Sequence, residues 1–136
     1  MIILDHEQGT EEWLAARLGK PSASCFSRLI TNSGKPSSSA DGYINELIAE
    51  RLTGRSKPFF TTPWMERGTE LEPDAREAYE FISGNDTLEV GFIVDPTFSY
   101  GCSPDALIGS EGGLEIKFPA PDTHVGYMRD NQAGVN

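Results

Sequence analysis

The sequence predicts an α+β fold in which N-terminal helices pack on a short mixed β-sheet. Segments with helical periodicity precede Gly84, and short strand-like runs separated by turns follow it. The chain has 136 residues, of which 38% are hydrophobic, and this is enough for one domain with a modest core. We therefore predict a single domain over residues 1–136.

The first two predicted helices each begin at a hydroxyl-bearing residue. Thr10 is an N-cap that precedes an amphipathic segment, and Gly19 ends that segment. Ser22 is the N-cap of a second helix that extends to about residue 31. Helical spacing places three apolar side chains on one face of this second helix: Phe26, Leu29 and Ile30. We expect that face to be buried.

A third predicted helix follows a polar loop rich in Gly, Ser and Pro. Asp41 is its N-cap and Gly54 its stop signal. Its apolar positions, expected to pack in the core, are Ile44, Leu47, Ile48 and Leu52.

The fourth helical segment begins at Thr62-Pro63 and ends at Gly84. Pro73 interrupts it, because proline lacks a backbone donor and disfavours helical angles in the preceding residue. The sequence therefore predicts either a kink or a new helix start near Glu72. This position draws attention to the Glu72 carboxylate, although a simple capping role fits it as well.

Short strands of a meander are predicted after Gly84. They correspond to TLEVGFIVD, FSYGCS, ALIG and GLEIKF, with turns at DPT and SEGG. In GLEIKF, the alternation of a strand sends Glu115 and Lys117 to the same face. A hairpin closed by residues 110–113 brings Asp105 beside Glu115.

Composition excludes several classes of function. The net charge of −10 argues against a general polyanion binder, since lysine and arginine normally supply nonspecific affinity for nucleic acid. No apolar run approaches the roughly 18 residues of a membrane span. Cys25 and Cys102 lack the spacing of a disulfide framework or a zinc site. We expect no membrane partner and a reducing cytoplasm.

Asp105, Glu115 and Lys117 together suggest metal chemistry. Two neighbouring carboxylates repel each other unless a cation joins them. Hard oxygen ligands suit Mg²⁺ or Mn²⁺ rather than zinc. A nearby lysine can orient water or neutralise charge on a phosphate, which is the chemistry of phosphodiester hydrolysis. The alternative is a solvated hairpin face whose charged groups are merely exposed.

Three sequence blocks in register resemble a known family. They are EQGTEEWLAARLGKPSASCFSRLI (7–30), ERGTELEPDAREAYE (66–80) and CSPDALIGSEGGLEIKFPAP (102–121). The third contains a PD…(D/E)xK nuclease signature, which is weak alone. Taken together, the blocks resemble the lambda-exonuclease, or YqaJ-type viral recombinase, family, and the resemblance implies a core like that of restriction endonucleases.

The resemblance also implies roles for individual residues of the hairpin and the fourth helix. Asp105 and Glu115 match the family's metal-binding carboxylates, and the backbone carbonyl of Ile116 would also bind the metal. Lys117 matches the catalytic lysine. Glu72, borne on a helix, would complete the metal site.

In the first block, Arg17 and Ser24 match residues that the family uses to hold the 5′ phosphate of a DNA end. Without the family, Arg17 would simply complement the negative end of its helix and Ser24 would stabilise a helix start. Asp95 also matches an acidic family position.

By this resemblance the chain would be an Mg²⁺-dependent exonuclease that degrades duplex DNA from the 5′ end in phage recombination, with Mn²⁺ as a substitute. The resemblance further implies a homo-oligomeric ring around DNA and a single-strand annealing protein as partner. Family members continue past the catalytic lysine, so we expect the fold to be incomplete at its C-terminus. Two alternatives stay open: an inactive module that binds DNA ends or a host nuclease, and an endonuclease or resolvase.

Overall fold

A computed structural model describes residues 1–57 and 61–130. Its helices are α1 (Glu11–Arg17), a 3-10 helix (Ala23–Arg28), α2 (Ala40–Thr53), α3 (Pro63–Ser83) and α4 (Pro121–Asp130). Its strands are β1 (Ile2–Leu4), β2 (Thr87–Leu88), β3 (Phe92–Val94), β4 (Gly101–Cys102), β5 (Ala106–Ile108) and β6 (Gly112–Leu114). The α+β class is confirmed. Among the described helices, none is both long and apolar enough to cross a membrane.

The chain divides into two compact units. Among the described residues, the first comprises 1–57 and 89–104, and the second comprises 61–88 and 105–130. Each unit contains one three-stranded antiparallel sheet, ordered β1-β3-β4 in the first and β2-β5-β6 in the second. These two sheets replace the single mixed meander that was expected, because β1 pairs with β3 whereas β2 pairs with β5. The prediction of one domain over residues 1–136 stays a prediction.

β3 forms the core of the first unit. Phe92 and Val94 are fully buried, and Val90, Ile93 and Tyr43 are nearly so. Glycine at position 101 allows β4 to approach β3, since a Cβ there would lie 2.4 Å from the Ile93 carbonyl oxygen and 2.5 Å from the Phe92 ring. The apolar run FIV is therefore buried on both faces of its strand.

The helices of the first unit begin only partly as predicted. Thr10 is confirmed as the N-cap of α1, where its hydroxyl accepts a hydrogen bond from the Trp13 backbone N–H at 3.3 Å. The helix predicted after Ser22 is a short 3-10 helix, and Phe26 is 54% exposed. The Ser22 hydroxyl makes no capping bond. The chain reverses direction soon after this helix, and the Thr31 N–H donates to the Lys35 carbonyl across the turn.

α2 differs from the sequence interpretation in the face that it buries. Gly54 ends the helix in a left-handed conformation, as predicted, but the N-cap is Ser39 rather than Asp41. Ile44, Ile48 and Leu52 are exposed instead of packing in the core. Helical periodicity indicates that these side chains share one face of α2, but the prediction that this face is buried is wrong.

Polar side chains connect α2 to the rest of the first unit. Glu46 accepts hydrogen bonds from both terminal nitrogens of Arg28, at 3.1 and 3.2 Å, and from Lys57 Nζ at 2.7 Å. One turn later, Glu50 accepts from the Gly19 N–H and Arg51 donates to the Gly19 carbonyl, both at 2.8 Å. Hydrogen bonds from Arg28 and Lys57 lower the pKa of Glu46 to about 2.

α3 in the second unit is one continuous helix. Thr62 caps it, with its hydroxyl accepting from the Met65 N–H, and Gly84 ends it. The new helix start predicted near Glu72 is wrong, because Pro73 lies inside the helix. A helix capped at both ends retains enough intrahelical hydrogen bonds to offset the one donor that proline lacks.

The Glu46 cluster predicts a pH-dependent stability. Glu46→Gln should lower the free energy of unfolding at neutral pH by about 1 kcal/mol, since the charge shared by Arg28 and Lys57 is lost. Folding lowers the Glu46 pKa from 4.5 to about 2, so this stabilisation is complete above pH 4.5 and disappears as pH falls towards 2. Urea unfolding across this range measures the difference between the two proteins.

The control is Glu77→Gln on the exposed side of α3. This change should leave the unfolding free energy nearly unaltered at every pH. A Glu46→Gln difference that persists undiminished at the acid end would contradict the prediction.

Candidate active site

The β5–β6 hairpin determines which charged residues of the second unit become neighbours. Its strands pair Ala106 with Leu114, and the Asp105 N–H donates to the Leu114 carbonyl at 3.1 Å. Asp105 thus directly precedes this ladder and Glu115 directly follows it, and the sequence prediction that their carboxylates lie side by side stays a prediction. Gly109 in the turn has φ +56, a left-handed conformation that favours glycine.

The Asp105 carboxylate is partly buried and held in place by the opposite strand. Its Oδ2 atom accepts a hydrogen bond from the Ile116 backbone N–H. Burial raises the pKa of Asp105, and the negative charge of Glu115 adds to this effect. The Ile116 N–H, Lys117 and Arg76 act in the opposite direction. The hairpin thus keeps a carboxylate where its charged form is disfavoured.

Glu115 and Lys117 form an ion pair on the open side of the hairpin. Lys117 Nζ donates to Glu115 Oε1, and both side chains are about half exposed. Strand β6 ends at Leu114, yet exposed and partly buried residues still alternate as far as Phe118. The predicted common face of Glu115 and Lys117 is confirmed by this contact.

Arg76 connects Glu72 to the hairpin within the second unit. Its Nη1 atom lies 3.8 Å from Glu72 Oε1 and donates to the Asp105 backbone carbonyl at 3.4 Å. Only 14% of the Arg76 side chain is exposed. Sequence reasoning missed Arg76, although its position four residues after Glu72 on a helix was a usable signal.

The donor atoms fit a hard divalent cation in their chemistry. Asp105 and Glu115 contribute carboxylates, which is the ligand type that Mg²⁺ and Mn²⁺ prefer. Over residues 1–57 and 61–130, however, no group of three or more His, Cys, Asp or Glu side chains is arranged to hold a metal. A metal site formed by Glu72, Asp105, Glu115 and the Ile116 carbonyl stays a prediction.

A second polar cluster, in the first unit, surrounds Arg17. Arg17 Nη1 and Trp13 Nε1 both donate to the Ser103 hydroxyl, at 3.0 and 3.1 Å. The guanidinium lies 4.1 Å from the centre of the Trp13 ring and 5.6 Å from that of Phe92. Burial lowers the pKa of Arg17. Sequence reasoning missed Ser103, although its hydroxyl lies within the CSPD segment of the third block.

Ser24, the other residue predicted to bind phosphate, lies at the first turn of the 3-10 helix. Its exposed hydroxyl is 3.1 Å from that of buried Ser22, whose backbone N–H donates to the Tyr43 hydroxyl at 3.4 Å. Tyr43 also interacts electrostatically with Arg17. Arg17 and Ser24 therefore belong to the same unit.

Asp95 organises the turn between β3 and β4. Its carboxylate accepts backbone hydrogen bonds from Thr97 at 2.9 Å and Tyr100 at 3.0 Å, and it also accepts from the Ser99 N–H and the Thr97 hydroxyl. The Thr97 hydroxyl is the main reason that the pKa of Asp95 is lowered to about 2. These contacts give Asp95 a structural role.

The fold and the hairpin correspond to a nuclease core of the PD-(D/E)xK type. A model of the YqaJ-like viral recombinase domain matches residues 12–135, and the chain belongs to this family. Two crystal structures are similar to it: an alkaline exonuclease (LHK-Exo) from Laribacter hongkongensis, with a TM-score of 0.78, and LHK-Exo in complex with dAMP, with a TM-score of 0.79.

Both similar structures are 42% identical to this chain over 91% of its length. The chain spans 61% of the length of LHK-Exo. A search of curated protein sequences found no match. The resemblance inferred from the three sequence blocks is thus confirmed at the level of family and fold.

Burial of Asp105 and the negative charge of Glu115 both disfavour the Asp105 carboxylate, so we predict that this residue destabilises the metal-free protein. Asp105→Asn should raise the thermal unfolding midpoint by a few degrees in chelator, because it removes a partly buried charge that Glu115 repels. Asparagine can still accept the Ile116 hydrogen bond through its side-chain oxygen. Differential scanning calorimetry at neutral pH provides the measurement, with Glu111→Gln at the hairpin turn as the control. An equal or lower midpoint for Asp105→Asn would refute this view of the hairpin.

Proposed function

We propose that this chain is a DNA exonuclease domain that hydrolyses phosphodiester bonds of duplex DNA from the 5′ end, with Mg²⁺ as cofactor and Mn²⁺ as a substitute. The observation that carries the proposal is the β5–β6 hairpin, at whose end the Asp105 carboxylate accepts a hydrogen bond from the Ile116 N–H and Lys117 contacts Glu115. Family membership and the similarity to an alkaline exonuclease support the same reaction.

In this proposal Asp105, Glu115, Glu72 and the Ile116 carbonyl hold the divalent cation. The cation supplies positive charge to the phosphate oxygens on which negative charge develops, and it makes water a better nucleophile. The carboxylates provide hard oxygen ligands, and the Ile116 N–H fixes the orientation of one of them. Their mutual repulsion in the metal-free protein favours cation binding.

Lys117 orients the attacking water and neutralises charge in the transition state. Its ammonium contacts Glu115, so it lies within one side chain of a proposed ligand. An ammonium at this position offers three donors, of which Glu115 occupies one. The other two can donate to a water or to a phosphate oxygen, and donors placed where charge develops typically contribute a large share of catalysis.

Arg17, Ser24 and Ser103 bind the 5′ phosphate of the DNA end. The hydrogen bond of Arg17 to Ser103 is to a neutral hydroxyl, and its contacts with Trp13 and Phe92 are to ring faces. These contacts fix the guanidinium plane without neutralising its charge. A partly buried arginine in such surroundings is well suited to a phosphate, to which it can donate two parallel hydrogen bonds.

A homo-oligomeric ring around the DNA and a single-strand annealing partner belong to the same proposal. Both rest on the family resemblance. They also suit an acidic chain, because enclosure by a ring retains DNA without a large basic surface.

A second candidate is a module that binds DNA ends without cutting them. The observation that favours it is the absence, within the described part of the chain, of a three-residue metal-ligand group. The Arg17 cluster would then be the functional site, and the hairpin carboxylates would be a remnant.

The exonuclease proposal predicts metal-dependent release of nucleotides from linear duplexes labelled at either end. Release in Mg²⁺, none in chelator and earlier loss of the 5′ label are the expected results. Asp105→Ala, Glu115→Ala and Lys117→Ala should abolish release while preserving the circular dichroism spectrum. Glu111→Ala, at the exposed turn of the hairpin, should leave release unchanged. Binding without release would favour the end-binding module, and nicking of closed circles would favour an endonuclease.

The proposed phosphate-binding role of the Arg17 cluster leads to a separate prediction. Arg17→Ala should reduce the preference for a 5′-phosphorylated over a 5′-hydroxyl duplex by about tenfold to a hundredfold, since a charge-assisted hydrogen bond contributes roughly 1.5–3 kcal/mol. The affinity for both duplexes is measured in Ca²⁺ or chelator, which separates binding from hydrolysis. Arg55→Ala, in an exposed segment, is the matched control. An unaltered preference in Arg17→Ala would exclude Arg17 as the phosphate ligand.

A further inference from the structure

We infer that Arg76 is a positioning residue for the metal site, and that it holds the Glu72 carboxylate in the orientation needed for metal binding. This inference rests on the proposed function, since it concerns the same site. It assigns a role to a residue that lies outside the PD…(D/E)xK signature.

The geometry around Arg76 motivates the inference. Arg76 lies one helical turn after Glu72 on α3, and its Nη1 atom is 3.8 Å from Glu72 Oε1. The same nitrogen donates to the backbone carbonyl of Asp105 at 3.4 Å. One guanidinium therefore contacts the side chain of one proposed ligand and the main chain of another.

Burial makes this bridge more effective than a surface ion pair. The Arg76 side chain is only 14% exposed, and that of Glu72 is 31% exposed. An arginine so enclosed has a restricted set of rotamers, so its charge stays within ion-pair distance of Glu72 and within hydrogen-bond distance of the Asp105 carbonyl. Exposed pairs such as Arg129 with Asp130 lack this constraint, because both of those side chains face solvent.

The chemical consequence is control of the ligand geometry. Carboxylates that bind a metal are commonly held by hydrogen bonds from neighbouring side chains, and loss of such a neighbour typically weakens metal binding or activity by about 10–100-fold. Arg76 also places a positive charge beside Glu72 and beside the backbone of Asp105. Its hydrogen bond to the Asp105 carbonyl connects α3 to the start of β5.

The alternative is that Arg76 is only a nearby positive charge. The two roles predict opposite changes in metal affinity when Arg76 is replaced. A purely electrostatic cation repels a divalent ion, so its removal would tighten metal binding. A positioning residue orients the ligands, so its removal would weaken metal binding.

The experiment is calorimetric titration of the whole chain with Mn²⁺ in the absence of DNA. We expect Arg76→Met to weaken Mn²⁺ binding by about 10–100-fold relative to the unaltered chain. Arg76→Lys, which retains the charge without the planar fork, should give an intermediate affinity and also serves if Arg76→Met fails to fold. Arg129→Met removes a cation from an exposed pair and should leave the affinity unchanged.

A double-mutant cycle tests whether Arg76 acts through Glu72. In the Glu72→Ala background, Arg76→Met should have a much smaller effect on Mn²⁺ affinity than in the unaltered chain. A structural defect of Arg76→Met would lower the affinity equally in both backgrounds and would overturn the inference.

The remaining outcomes distinguish this inference from the proposed function. Mn²⁺ binding that is equal or tighter in Arg76→Met and Arg76→Lys overturns the role of Arg76 and leaves the metal site intact. Failure of the unaltered chain to bind Mn²⁺ overturns both the metal site and the role of Arg76.

Discussion

The register of the β5–β6 hairpin is the constraint on which the candidate active site depends. Pairing of Ala106 with Leu114 places Asp105 directly before this ladder and Glu115 directly after it, although their charges repel each other. A shift of one residue would move every side chain of β6 to the opposite face of the sheet. Backbone hydrogen bonds, including the one from the Ile116 N–H to the Asp105 carboxylate, thus hold Asp105 at the end of the hairpin although burial and the charge of Glu115 raise its pKa.

Basic side chains lie next to the acidic residues of the candidate site. The chain carries a net charge of −10, yet Lys117 contacts Glu115 and Arg76 contacts both Glu72 and the backbone of Asp105. Since exposed charges more than about 8 Å apart are largely screened at physiological salt, such contacts affect the site more than the net charge does. An acidic protein can therefore maintain a region suited to phosphate chemistry without a basic surface elsewhere.

The sequence predicted features set by local chemistry and failed where tertiary contacts decide. Thr10, Thr62, Gly54 and Gly84 begin or end helices as predicted, because capping depends on adjacent residues. The hairpin could also be predicted, since its alternation and turn are local. The exposure of Ile44 and Ile48 could not be predicted, because periodicity shows which side chains share a helix face but not whether another element packs against that face. The hydrogen bonds of Arg76 to Asp105 and of Arg17 to Ser103 could not be predicted, because they join residues that are far apart in the sequence.

Two arginines of the first unit show how similar residues acquire different functions. Arg28 donates to both oxygens of Glu46, and hydrogen bonding to this carboxylate raises the pKa of Arg28. Arg17 donates to the Ser103 hydroxyl and lies against the Trp13 ring, and burial lowers its pKa. Glu46 therefore stabilises the charge of Arg28, whereas the described contacts of Arg17 are with a neutral hydroxyl and with ring faces, which restrict the orientation of its guanidinium. This difference in surroundings is why the proposed phosphate ligand is Arg17 rather than Arg28.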